Sequence, residues 1–179
     1  NAMDLDRYLS HGFNATVVEY RGRGHEDYHE EILRLFGWMK GLRRDFFPRS
    51  FTCASMRPWD NFFYWIELAD LPQRTMVAPE AWPPPRGTIP MLTEAVIGDN
   101  NTLRVRSGAA RATVWLSPSM LHFDQRAAVT VNGQRLNPRE PFLRPDLRVM
   151  LEDARTRADR QHPFWARMDT PAGRQRAQR

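Results

Sequence analysis

Apolar residues recur along the first quarter of the chain at the spacing of a helix with one buried face. Over residues 26–44 the stripe follows the i, i+3, i+4, i+7 pattern and consists of Ile32, Leu35, Phe36, Met39 and Leu42. A shorter helix is predicted from Asp4, a suitable N-cap, to Gly12, a suitable C-terminal stop. The β-branched residues of 15–20 predict a strand between the two helices. This order indicates a strand that belongs to a parallel sheet covered on both faces.

After Pro48 the helical period gives way to short segments with period two. Strands are predicted over 62–68, 93–97, 102–106, 111–116, 128–131 and 163–168. The dipeptide Asn132-Gly133 is a strong signal for a tight hairpin turn. A further helix is predicted over 145–161. Short strands separated by turns favour an antiparallel β-sandwich, here with one C-terminal helix.

The basic charge of the chain is concentrated near its C-terminal end. The 179 residues carry a net charge of +5, and the sequence pI is about 10.1. Residues 143–179 hold nine basic and five acidic residues, with Arg174, Arg176 and Arg179 in the tail. We therefore expect a solvated basic terminus rather than a nucleic-acid-binding face. The single cysteine, Cys53, excludes an intramolecular disulfide, and no apolar run is long enough for a membrane-spanning helix.

One segment, residues 22–31, concentrates the candidate chemistry and admits three interpretations. First, His25, Glu26 and His29 fit the pattern H-E-x-x-H, in which two histidines bind zinc and the glutamate activates water. This requires both histidines on one helix, whereas glycines precede His25 directly. Second, a glycine-rich loop after a strand is where an α/β-hydrolase holds its triad histidine. Third, Gly22-Arg23-Gly24 is a tight turn and His25 an exposed polar residue.

The segment from Asp6 to Trp38 resembles the end of the catalytic domain of prolyl-oligopeptidase-like and dienelactone-hydrolase-like α/β-hydrolases. The motifs that carry this resemblance are Gly12-Phe13, Val17-Val18-Glu19-Tyr20, Gly22-Arg23-Gly24-His25 and Phe36-Gly37-Trp38-Met39. It implies that His25 is the catalytic general base and later the general acid, and that His29 has no catalytic role. Residues 57–168 resemble the C-terminal β-sandwich of some large bacterial peptidases of this type, through residues 115–118 and 129–133.

The resemblance also defines what the chain lacks. No G-x-S-x-G motif occurs in it, and the acid of the family lies before the helix that matches 4–11. We therefore expect an α+β chain in three parts. The first, 3–48, is the helix-strand-helix end of an α/β-hydrolase domain, the second, 49–170, is a β-sandwich accessory domain, and the third, 171–179, is a basic tail.

The implied function is that of a C-terminal fragment of a serine peptidase or esterase, inactive alone. Its expected partners are the upstream catalytic domain and a peptide or ester substrate, with no cofactor, no nucleic acid and no membrane. Because a parallel strand needs neighbours on both edges, we expect residues 4–45 to dock on the β-domain or to pair in a homodimer. Two alternatives stay open: a separate β-sandwich binding module and the H-E-x-x-H metalloprotein.

Overall fold

The computed structural model describes residues 2–81 and 84–171, and the chain divides into two compact units. Unit 1 is Asn1–Arg44 and unit 2 is Asp45–Arg179. The predicted boundary lies four residues later, after residue 48. The arginines of the predicted basic tail, Arg174, Arg176 and Arg179, lie outside the described residues.

Unit 1 contains two helices and no strand among its described residues. Helix α1 is Ala2–Ser10 and helix α2 is His29–Met39, which is shorter at both ends than the predicted 26–44. Gly12 closes the first helix with a positive φ of 77°, and its N–H donates to the carbonyl of Leu9 at 2.9 Å.

The strand predicted over 15–20 does not form. A β-strand is defined by pairing with another strand, and the described part of unit 1 contains no second strand. Of the predicted helix, strand and helix, the structure contains only the two helices, so it does not show an α/β-hydrolase end. The β-branched residues set a local preference, but this preference cannot supply a partner strand.

The described residues of unit 2 form nine strands in two sheets, one α-helix and two short 3-10 helices. The five-stranded sheet has the order β1 (Ser50–Ser55), β4 (Met91–Gly98), β5 (Thr102–Ser107), β7 (Ala128–Val131) and β8 (Gln134–Arg135). The four-stranded sheet has the order β2 (Phe62–Phe63), β3 (Ile66–Ala69), β6 (Arg111–Leu116) and β9 (Ala166–Asp169). All pairs are antiparallel except β5 with β7, which is parallel.

One apolar core lies under both sheets. Strand β4 shows the alternation that a half-buried strand requires, with Met91, Thr93, Ala95 and Ile97 buried. The same cluster of buried side chains includes Leu103 and Val105 of the first sheet and Ile66, Leu68 and Val114 of the second. Unit 2 is thus a β-rich domain with two largely antiparallel sheets, which is consistent with the predicted β-sandwich.

The apolar run 62–68 forms a hairpin rather than the single predicted strand. Phe63 pairs with Ile66, and Tyr64 adopts a positive φ of 52° in the turn between them. Trp65 in this turn is fully buried and donates its indole N–H to the carbonyl of Pro48 at 3.1 Å. We infer that burial of this large ring overrides the absence of a turn-forming residue.

Helix α3 (Leu147–Arg157) is shorter than the predicted 145–161 and has defined ends. The carboxylate of Asp146 accepts a hydrogen bond from the N–H of Arg148 at 2.8 Å and so caps the N-terminus. Ala158 ends the helix in the left-handed region, with a φ of 55°. In the described ranges of the chain, none of the helices is long and apolar enough to cross a membrane.

Candidate functional site

His25 lies on an exposed loop that precedes helix α2. Two interactions hold the residues on either side of it. The Tyr28 hydroxyl donates to the carbonyl of Gly24 at 2.6 Å, and Arg23 Nε donates to Glu26 Oε1 at 2.6 Å. The imidazole itself makes no hydrogen bond to any residue that the structure describes. The loop therefore presents His25 to the solvent, with a backbone contact before it at Gly24 and a side-chain contact after it at Glu26.

Arg23 is the centre of the network that shapes this loop. Its guanidinium carbon lies 5.1 Å from the centroid of the Tyr20 ring and 4.7 Å from that of Tyr28, and these two rings are stacked at 5.0 Å. Arg23 also donates to Glu30 through Nη1. Hydrogen bonds to Glu26 and Glu30 raise the pKa of Arg23 above its ordinary value, so it stays a cation.

Glu31 is the only buried side chain among residues 5–44. Its Oε1 accepts from the Tyr20 hydroxyl and from Arg34 Nη1, the latter at 3.2 Å. The hydrogen bond between Tyr20 and Glu31 is the main cause that raises the pKa of Tyr20. It ties helix α2 to the chain before the His25 loop, so the position of the loop is set within unit 1.

The geometry does not bring His25, Glu26 and His29 together as metal ligands. The helix begins only at His29, so His25 is not one helical turn before it on the same face. His29 Nε2 instead lies 3.7 Å from Asp27 Oδ2, and both side chains are exposed. In the part of the chain that the structure describes, no group of three or more His, Cys, Asp or Glu side chains is arranged to hold a metal. The H-E-x-x-H interpretation gains no support.

Unit 1 carries an extensive apolar surface and no apolar core. Among the side chains of residues 5–44, no apolar one is buried. Twelve large apolar side chains are exposed, and together they form what we call the apolar surface of unit 1: Tyr8, Leu9, Phe13, Val17, Val18, Ile32, Leu33, Leu35, Phe36, Trp38, Met39 and Leu42. Isolated soluble units rarely expose so much apolar area, and such surfaces mark a binding partner.

The adjacent residues Val17 and Val18 are informative within this surface. They are 53% and 48% exposed. The described structure has no strand here. If residues 15–20 paired as a strand, these two side chains would point to opposite faces, and both faces would be apolar at this position. This is the composition of a parallel strand with helices on both sides.

Unit 2 holds a cavity that the sequence patterns did not indicate. It has a volume of about 850 Å³ and lies at the start of β4. Its walls come from two loops, one around Arg74 and one around Arg86, the latter following the proline-rich segment that begins at Pro79. Trp82 and Pro83 of that segment lie outside the described residues.

Comparisons of the chain with protein-family models, with curated proteins and with solved structures found no match.

Proposed function

We propose that this chain is the C-terminal part of a serine hydrolase of the prolyl-oligopeptidase-like type, in which His25 is the general base. The observation that supports it most is the placement of His25: it is exposed on a loop with hydrogen bonds at Gly24 and Glu26, and it follows a segment in which the adjacent Val17 and Val18 are both exposed. A triad histidine needs this combination, because its loop must be rigid while its ring reaches a nucleophile on another strand.

The chemistry assigned to His25 follows from the proposed triad. As a serine Oγ attacks the carbonyl carbon of a peptide or ester, His25 takes the hydroxyl proton. The bond to the leaving group then breaks, and the imidazolium gives that proton to the leaving amine or alcohol. Water repeats the sequence on the acyl-serine and regenerates the free serine. The serine, the acid and the oxyanion hole would come from the polypeptide upstream, since G-x-S-x-G is absent here.

The same proposal explains the apolar surface of unit 1. The remainder of an α/β-hydrolase sheet would pair with residues 15–20, and its helices would cover Val17 and Val18. The partner is thus the upstream catalytic domain. Alternatively, a second copy of the chain would cover this surface in a homodimer formed through residues 4–45. Such a dimer would appear as a concentration-dependent increase in molecular mass of the upstream-extended protein.

The role of His25 is tested in that extended protein by comparing His25→Ala with His29→Ala. We expect turnover of a chromogenic ester to fall by roughly 10³-fold or more in His25→Ala, as loss of a triad member does. His29→Ala is the matched control, four residues away and equally exposed, and should keep turnover within about twofold of the parent. Equal activity of the two variants would reject the assignment.

A second candidate function, a binding module formed by unit 2, is supported by the cavity beside Arg74 and Arg86. It is compatible with the hydrolase proposal, because the two functions occupy different units.

A further inference from the structure

Two turns that differ in conformation but are closed by the same pair of hydrogen bonds line the cavity of unit 2, the first being the short 3-10 helix Gln73–Thr75. Residues 72–75 and 85–88 both read Pro-x-x-Thr with an arginine between the ends. In the first turn the carbonyl of Pro72 accepts both the N–H and the hydroxyl of Thr75, at 2.9 and 2.8 Å. In the second the carbonyl of Pro85 accepts both groups of Thr88, at 3.1 and 2.8 Å. Each arginine thus sits on a turn closed by two hydrogen bonds.

The second turn is further defined by a glycine. Gly87 has a φ of +85°, and the N–H of Thr88 donates to the carbonyl three residues earlier. This matches a type II turn, which needs a left-handed residue at its third position. Arg86 occupies the preceding position, so its backbone is fixed although its side chain is exposed.

The lining of the cavity combines two cations with an apolar floor. Apart from Arg74 and Arg86, the described lining residues are apolar or neutral: Pro72, Thr75, Gly87, Thr88, Ile89, Pro90, Met91, Leu92 and Gly108. No acidic side chain is among them. Ile89 and Leu92 are 77% and 53% exposed, so apolar surface is open to a ligand at the cavity mouth.

The two arginines of the cavity differ from other arginines of unit 2 in their pairing. Among the described residues no ion pair involves Arg74 or Arg86, whereas Arg111 in the same unit pairs with Asp70 at 2.6 Å. Hydrogen bonds from Arg111 also lower the pKa of Asp70. Two unpaired guanidiniums on one cavity attract an anion, and their planar forks suit a carboxylate or a phosphate.

We infer that this cavity binds the carboxylate of an organic ligand with an apolar body, such as the free C-terminus of a peptide. The two guanidiniums would hold the carboxylate, and the apolar floor and mouth would hold the adjoining side chain. The apolar lining favours this ligand over inorganic phosphate, which has no apolar part to bury. The inference concerns unit 2 alone and does not depend on the role of His25.

The test measures binding of three probes to the full chain by titration calorimetry: N-acetyl-leucine, N-acetyl-leucinamide and inorganic phosphate. N-acetyl-leucine should bind at least about tenfold more tightly than its amide, because the amide lacks the charge. It should also bind more tightly than phosphate. Equal binding of acid and amide, tighter binding of phosphate, or no binding of N-acetyl-leucine would each overturn the inference.

A double variant identifies the site. Arg74→Gln with Arg86→Gln should weaken N-acetyl-leucine binding by about tenfold or more. Arg104→Gln, an exposed arginine on β5, is the matched control and should leave binding unchanged. All three substituted side chains are exposed, so the thermal midpoint should stay within a few degrees of the parent. Unweakened binding by the double variant, or equal weakening by the control, would contradict the assignment.

Discussion

At the residue scale, the clearest contrast in unit 2 is between two neighbouring carboxylates on helix α3. Asp153 is 2% exposed and accepts three hydrogen bonds: from Arg157 Nε at 2.5 Å, from Arg157 Nη2 at 2.6 Å and from the N–H of Phe164 at 2.9 Å. Glu152 also accepts two bonds from one arginine, Arg155, at 3.0 and 2.6 Å. That pair is largely in solvent. Both carboxylates thus accept two bonds from one arginine, but only Asp153 is buried and accepts a third bond, from the Phe164 N–H.

Truncating these two carboxylates should give very different losses of stability. Asp153→Ala leaves Arg157 and the Phe164 N–H without their buried acceptor, and we expect the unfolding free energy to fall by about 2–4 kcal/mol. Glu152→Ala removes a solvent-exposed pair and should lower the unfolding free energy far less, because water screens that pair. Urea unfolding followed by tryptophan fluorescence measures both. Losses of equal size would show that the Asp153 network does not anchor helix α3.

At the element scale, a short sequence pattern predicts a turn correctly where the turn conformation depends on adjacent residues. Asn132 and Gly133 form the predicted tight turn, with φ values of 51° and 80°. The Asn132 side chain also continues the pairing of β7 with β5, since it accepts from the N–H of Ser107 at 2.9 Å and donates to its carbonyl at 3.0 Å. This second role is a long-range contact that the dipeptide alone does not reveal.

Substitutions at Gly133 test the turn. A Cβ there would meet no atom within 4 Å, so any cost comes from the backbone alone. Gly133→Ala should lower the unfolding free energy by about 1 kcal/mol, because alanine disfavours a positive φ. Gly133→Asn is the control and should lower the unfolding free energy by only about a few tenths of a kcal/mol, because asparagine tolerates this conformation. Thermal unfolding measures the stability of both variants. An alanine variant as stable as the asparagine variant would refute the proposed cost of the positive φ.

Elements that depend on distant partners agree unevenly with the sequence patterns. The predicted strands 111–116 and 128–131 match the structure to the residue. The strand at 15–20 failed because no partner strand exists in the described part of unit 1. The hairpin turn at Tyr64 was missed because burial of Trp65, rather than a turn residue, determines it.

The geometry of the candidate sites also depends on contacts that sequence patterns do not reveal. Exposure of His25 followed from its glycine-rich context, but the clamp by Arg23 and the tyrosines required side-chain geometry. The cavity in unit 2 joins turns thirteen residues apart, and a repeated Pro-x-x-Thr is too short a pattern to be informative by itself.

At the scale of the whole molecule, the two units differ in how their stability is achieved. Unit 2 buries a core of apolar side chains from both sheets, including Trp65 and Phe164. Unit 1 buries only Glu31 among residues 5–44 and exposes its apolar surface. Because hydrophobic burial dominates folding, this difference leads us to expect that unit 1 is stabilised by a partner. We propose that this partner is the upstream catalytic domain, which would also supply the nucleophile that His25 serves.

The most direct test is fluorophosphonate labelling of the chain alone and of the protein extended by its natural upstream sequence, read by intact mass and peptide mapping. We predict no label on the chain alone. On the extended protein we predict one label per molecule, on a serine before residue 1 of this chain. An extended protein that takes up no label, or labelling of a serine within the chain, would contradict the claim.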